Sequence, residues 1–137
     1  MSTNAVEQIP VKVTVKTIIN KEPYELIAFG RYSKKGSSAY LQYDEMMTEG
    51  TIHTTVKLKE EEVLILRKGA VDMRLHFIAN KKTPGTYKTD QGLMLTEANT
   101  KKINLKDGRV EIRYDLAIQG SHAGTYHMNI QYEEVAE

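Results

Sequence analysis

The stretch Val63-Leu-Ile-Leu-Arg-Lys-Gly-Ala-Val-Asp-Met-Arg-Leu-His-Phe77 constrains this chain more than any other. Val63, Ile65, Val71, Met73, Leu75 and Phe77 occupy alternate positions, the period of a strand with one face buried. Arg67 and Gly69 share that parity, so an arginine falls on the apolar side of a sheet. The same alternation recurs from one end of the sequence to the other. It predicts about ten strands: 11–19, 24–34, 38–44, 51–59, 63–79, 85–89, 93–97, 101–106, 109–120 and 125–135. No segment carries an apolar stripe of period 3.6, so helix is limited to at most a single turn between Asp44 and Glu49.

The turns are short and chemically explicit. Lys106-Asp107-Gly108 places a glycine where a hairpin needs positive φ. Gly120-Ser-His-Ala-Gly124, Lys81-Lys-Thr-Pro-Gly85 and the charged Glu60-Glu-Glu62 separate other strands. Connections this short exclude parallel crossovers and leave an antiparallel meander. Some ten strands in an open sheet would expose two edges, and closure into an up-and-down barrel removes both. Gly30 and Gly69 lie inside strand patterns, where glycine marks a bulge or a barrel corner, and this favours a barrel over a sandwich. The expected fold is therefore all-β, a closed antiparallel barrel of eight to ten strands. A free edge at 11–19 would remain able to pair between chains, so a homodimer or a protein partner is open.

With 137 residues the chain fits one domain, and residues 1–10 read as a flexible N-terminal segment. It has no cysteine, which excludes disulfides, thiolate metal sites and thiol nucleophiles. The first residues lack the basic start and apolar run of a secretory signal, and no stretch approaches the roughly 20 apolar residues of a membrane-spanning helix. A cytoplasmic protein is expected. Nineteen Lys and Arg against eighteen Asp and Glu give a formal charge of +1, so neither nucleic acid nor a membrane surface is an expected partner. Lys34-Lys35, Lys81-Lys82 and Lys101-Lys102 read as solvated strand ends.

Parity also gives the lining. Ile52, Thr54, Val56 and Leu58 face inward, as do Val110, Ile112, Tyr114, Leu116 and Ile118, and Tyr126, Met128, Ile130 and Tyr132 on the last strand. His53, His76 and His127 fall on the outward parity and His122 in a turn. With neither His-x-His nor His-Glu-x-x-His spacing, no metal site is expected. There is no Gly-x-Ser-x-Gly elbow and no glycine-rich phosphate loop, so no catalytic residue and no cofactor is assigned.

The motif from Arg67-Lys-Gly69 to Phe77, with Tyr87-Lys-Thr89-Asp-Gln-Gly92, Thr100-Lys101, Ile112-Arg-Tyr114-Asp-Leu116 and Gly120, resembles the YwiB-like family of small proteins from Gram-positive bacteria. Tyr40-Leu-Gln-Tyr43-Asp-Glu45 and Thr54-Thr-Val-Lys57 look like its upstream block, and the resemblance runs from about Val11 to about Glu134. It implies a calycin-like, that is lipocalin-like, barrel, and it carries over no catalytic residues.

Arg67 is the sharpest candidate site residue, because a charge on an apolar face is costly unless paired or left at a wet rim. Glu45 shares the face of Leu41 and Tyr43 and offers a partner. Arg67 is thus either an anchor for a ligand carboxylate or phosphate, or half of an internal ion pair, or is turned outward by a bulge at Gly69. Tyr43, Met73, Tyr87, Tyr114, Tyr126 and Met128 are candidates to line a pocket for a flexible apolar or aromatic molecule, though such a set equally makes ordinary core. Two functions lead, with an enzyme third because no catalytic motif is found. One is non-enzymatic binding of a small, partly apolar ligand inside the barrel. The other is a structural or regulatory interaction module with a fully packed barrel.

Overall fold

Alternate residues of nearly every strand are buried, as the period-2 pattern requires, and they are buried against one another across a single closed sheet. The computed structural model describes residues 7–135. Its strands are β1 (Gln8–Ile19), β2 (Glu22–Lys35), β3 (Ser38–Met47), β4 (Gly50–Lys59), β5 (Glu62–Gly69), β6 (Asp72–Ile78), β7 (Lys82–Thr89), β8 (Gly92–Lys106), β9 (Arg109–Ile118) and β10 (Ser121–Glu134). Each pairs antiparallel with its neighbours in sequence, and β10 returns to β1, from Val11↔Glu134 to Ile19↔Tyr126.

The barrel reaches ten strands by two departures from the expected boundaries. The long alternation 63–79 is divided into β5 and β6 by a tight turn at Ala70 and Val71. Val63 pairs with Phe77, Ile65 with Leu75 and Arg67 with Met73, so odd residues face odd residues and the alternation runs through the reversal unbroken. Conversely, 93–97 and 101–106 are one strand, β8. A register shift between Thr100 and Lys102 moves the inward set from Thr96, Ala98 and Thr100 to Ile103 and Leu105. Lys101-Lys102 therefore sits within a strand and not at its end. No helical turn forms between Asp44 and Glu49, where β3 runs on to Met47 before a turn.

Two further expectations are corrected. Gln8, Ile9 and Pro10 are not a loose leader; they extend β1 along Ser33, Tyr32 and Arg31 of β2, with Ile9 packed against the core and the Pro10 carbonyl accepting the Val135 amide at 3.0 Å. Residues 1–6 lie outside the described residues. Nor does 11–19 offer a free edge, because β1 is hydrogen-bonded on both sides, to β2 and to β10.

The interior divides into two halves. At the end carrying the β2–β3, β4–β5 and β8–β9 turns it is solid, with Val13, Leu41, Val56, Val63, Phe77 and Ile112 among its fully buried side chains. Towards the β1–β2, β3–β4 and β5–β6 turns several inward residues, Val15, Leu26, Met73, Tyr126 and Met128 among them, are only partly buried, although Ile52 and Thr54 are enclosed. In that half the wall also parts. β2 and β3 pair only from Gly30↔Tyr43 to Lys35↔Ser38, and beyond Gly30 the stretch 22–29 of β2 has no partner on the β3 side. The β6–β7 ladder is short too, from Asp72↔Lys88 to Arg74↔Thr86.

Gly30 sits at the last pair before β2 and β3 separate. The ladders through Gly30 and Gly69 keep their register, so neither marks a bulge; both are close backbone approaches, a Cβ lying 2.1 Å from the Gln42 carbonyl oxygen at Gly30 and 2.2 Å from the Thr51 oxygen at Gly69, where φ is also +120. Gly30→Ala is expected to lower stability to chemical denaturation by about 3 kcal/mol, since backbone must move. Gly36→Ala, at φ +62 with open space around its Cβ, should cost only about 1 kcal/mol. Equal losses at the two positions would contradict the close approach.

Candidate ligand cavity

Strand register brings the polar residues of the hollow half together. Tyr43 of β3 lies opposite Thr54 of β4, Thr54 opposite Arg67 of β5, Arg67 opposite Met73 of β6, and Met73 opposite Tyr87 of β7. Glu45 is two residues on from Tyr43, on the same face and opposite Ile52. From there its carboxylate reaches back across β4. The Arg67 Nη2 donates to Glu45 Oε1 at 3.0 Å, and the Thr54 hydroxyl donates to Glu45 Oε2 at 2.8 Å. Arg67 therefore points inward and is paired, as one of the sequence alternatives held, and it is not turned outward at Gly69. Its side chain keeps 27% of its surface accessible against 14% for Glu45. Its Nε is buried with no acceptor.

These groups border an interior cavity of about 380 Å³, towards the lower end of the roughly 300–1,000 Å³ of small-molecule sites. Seven of the eight candidate residues line it: Tyr43, Glu45, Arg67, Met73, Tyr114, Tyr126 and Met128. Tyr87 does not. It is half-buried on β7, beyond Met73 in the same row, and does not reach the cavity. Parity placed it on the right face but could not say how far around the wall the cavity extends. Thr54 was missed as a site residue, although a threonine among Ile52, Val56 and Leu58 was the visible signal. The stretch of β2 that lacks a β3 partner was missed as well; it adds Tyr24, Glu25 and Leu26 to the lining.

Aromatic stacking closes the inner end. Tyr114 tilts against Phe77 of the solid half at 4.5 Å between ring centres and stacks on Tyr126 at 4.8 Å with planes 7° apart. Burial pushes the Tyr43 and Tyr114 hydroxyls well above the usual tyrosine range; Glu45 raises Tyr43 further, Tyr126 raises Tyr114, and the Arg67 charge opposes both shifts. Burial also raises Tyr126. All three thus remain neutral hydroxyls at ordinary pH, able to donate as well as accept. A wider and more open depression of about 670 Å³ lies over β1, β9 and β10, edged by Lys21, Lys101, Arg113 and Asp115. None of the Tyr43, Glu45, Thr54 and Arg67 group borders it.

The histidines lie elsewhere, each outward-facing one against a cross-strand carboxylate. His53 Nδ1 is 2.8 Å from Asp44, His76 Nε2 is 2.6 Å from Glu62, and His127 Nε2 is 2.6 Å from Glu111; His122 is exposed at the start of β10. Glu111 also faces Lys102 at 3.6 Å and Arg113 at 3.7 Å.

The fold and its interior define a ten-stranded antiparallel β-barrel, packed in one half and hollow in the other, with an arginine–carboxylate pair on the hollow wall. The chain belongs to the family described as a domain of unknown function, DUF1934, which it matches over residues 9–130. It is 33% identical over 135 residues to the uncharacterized beta-barrel protein YwiB of Bacillus subtilis (strain 168), covering 93% of this chain and 95% of that one. The crystal structure of the ywiB protein from Bacillus subtilis superposes with a TM-score of 0.82 at 31% identity over 98% of both chains. The resemblance read from the residues around Arg67 and Gly69 is thus a family relationship, and the barrel is common to both proteins.

The Arg67–Glu45 contact should be energetically coupled. Arg67→Met and Glu45→Gln are each expected to destabilise by about 1–2 kcal/mol, below the ~3–5 kcal/mol of a fully buried pair because both groups stay partly wet. In the double variant the coupling should be about 1 kcal/mol by denaturation. A coupling indistinguishable from zero would mean that the pair contributes nothing to the fold.

Acid should weaken the outer face. The hydrogen bond with His127, aided by Lys102 and Arg113, holds the Glu111 carboxyl below its ordinary value against the opposing effect of burial, and His76 does the same for Glu62. A carboxyl lowered in the folded state stabilises above its unfolded pKa, and that contribution disappears as pH falls through the folded value. Glu111→Gln should therefore flatten the decline in stability between pH 5 and 3, roughly the carboxylate range. An unchanged slope would show that this network does not drive the acid sensitivity.

Proposed function

We propose that this protein is a cytoplasmic binding protein that holds a small, mainly apolar molecule in the hollow half of its barrel. The observation that carries the reading is the cavity itself. About 380 Å³ of interior is left open beside Arg67, whose Nε is buried without an acceptor. Side chains available in this sequence, such as the methionines, could fill such a space at little cost to folding, and the opposite half of the same barrel is filled. Apolar walls from Val15, Leu26, Leu75 and Met128 favour an apolar body in the ligand, while Arg67 and the tyrosine hydroxyls favour a polar group at one point. The competing reading, a solid barrel acting only through its outer surface, fits the packed half alone. The Thr54 hydroxyl, Glu45 and Arg67 on the wall are bonded to one another, with both Glu45 oxygens taken, so the proposed role is binding without turnover.

Thr17 faces the cavity from β1, opposite Met128 and Tyr24, and is only partly buried. Thr17→Trp is expected to occlude the space with little damage to the barrel. Native mass spectrometry of the purified wild type should reveal a small-molecule adduct that the Thr17→Trp protein lacks. Identical adducts on both proteins, or none on either, would count against the reading.

A further inference from the structure

The charges on the cavity wall constrain what can bind there more tightly than its shape does. Arg67 and Glu45 are the ionisable pair on the inner wall, 3.0 Å apart, and they cancel. Both Glu45 oxygens are already engaged, Oε1 by Arg67 and Oε2 by Thr54. The further carboxylate bordering the space is Glu25, opposite Lys16 where β2 has no β3 partner, and Tyr24 beside it donates to Glu22 at 3.2 Å. The wall thus has no uncompensated positive charge.

An anionic head would approach Arg67 with Glu45 on the other side of the guanidinium. Its attraction to the arginine is then offset by repulsion from the glutamate, while the full cost of removing it from water remains. A cationic head meets the mirror problem: Glu45 has both oxygens occupied and Arg67 stands beside it. A neutral carbonyl or amide loses far less on leaving water, and it can accept a charge-assisted hydrogen bond from the guanidinium without disturbing the pair. The neutral hydroxyls of Tyr43, Tyr114 and Tyr126 supply further donors, and none adds charge.

We infer that the cavity selects an uncharged ligand, an apolar or aromatic body bearing a carbonyl- or amide-type acceptor, and discriminates against carboxylates, phosphates and amines of the same shape. This rests on the cavity-binding reading and replaces the anion anchor that an inward arginine first suggests.

The test is competition in the wild-type protein at one ionic strength and pH 7.5. N-phenyl-1-naphthylamine, a neutral dye that fluoresces in apolar surroundings, occupies the cavity; 2-naphthamide, 2-naphthoate and 2-naphthylmethylammonium, which share one ring system and differ in charge, displace it. The amide should displace the dye at concentrations at least tenfold lower than either charged analogue. Glu45→Gln leaves Arg67 uncompensated and should shift the amide-to-naphthoate ratio at least tenfold towards naphthoate, while leaving the ammonium compound weak. A wild-type preference for naphthoate or for the ammonium compound overturns the inference alone, since the cavity would still be a binding site. Dye that fails to bind, or that binds Thr17→Trp equally well, overturns the cavity reading and the inference with it. The wild-type comparison decides even where Glu45→Gln does not fold.

Discussion

Hydrogen bonding between β1 and β10 is the constraint on which the rest of this structure rests. It joins the first and last strands from Val11↔Glu134 to Ile19↔Tyr126 and closes the sheet into a barrel, whose one long unpaired edge among the described residues is the 22–29 stretch of β2 on its β3 side. Once the sheet is closed, one parity of every strand must face a shared interior whatever its chemistry. Arg67 and Glu45 are inside for that reason, and they meet because the register of β3, β4 and β5 sets them on one stretch of wall. Their mutual pairing, with Thr54, makes their confinement tolerable.

A wall of this circumference has to be filled or left hollow, and this one does both. Aliphatic side chains and Phe77 fill one half, and Tyr114 stands at the boundary, against Phe77 on one side and Tyr126 on the other. The hollow half coincides with the region where β2 and β3 cease to pair. Gly30 lets the two backbones come close immediately before they part. Loss of pairing, incomplete burial and the ion pair therefore fall in one part of the barrel.

Much of this was legible from the residues. Inward parity was right for Thr54, Tyr114, Tyr126 and Met128 and outward parity for His53, His76 and His127, because side-chain alternation is a local property of extended backbone. The partner of Arg67 followed from the same counting on Leu41, Tyr43 and Glu45. Errors arose where local pattern carries no information. The reversal at Ala70 and Val71 was invisible because odd residues pair with odd across it, and the bulge at Lys101 disguised one strand as two. Tyr87 has the correct face and the wrong position around the wall. Residues 8–10 read as loose because Pro10 is a poor strand former, yet Ile9 gains enough burial against β2 to be held.

By itself, then, the sequence determined that the chain would be a meander of antiparallel strands and which side chains would share a face, since both follow from period-2 alternation and short turns. It also placed Arg67 and Glu45 on the apolar parity, leaving open whether they would pair. Tertiary structure alone decided the register in which β1 meets β10, that β2 leaves β3 beyond Gly30, and that the space beside Arg67 stays open. Those outcomes depend on pairings between residues far apart in the chain and on volumes summed over many strands, quantities that no local stretch of sequence contains.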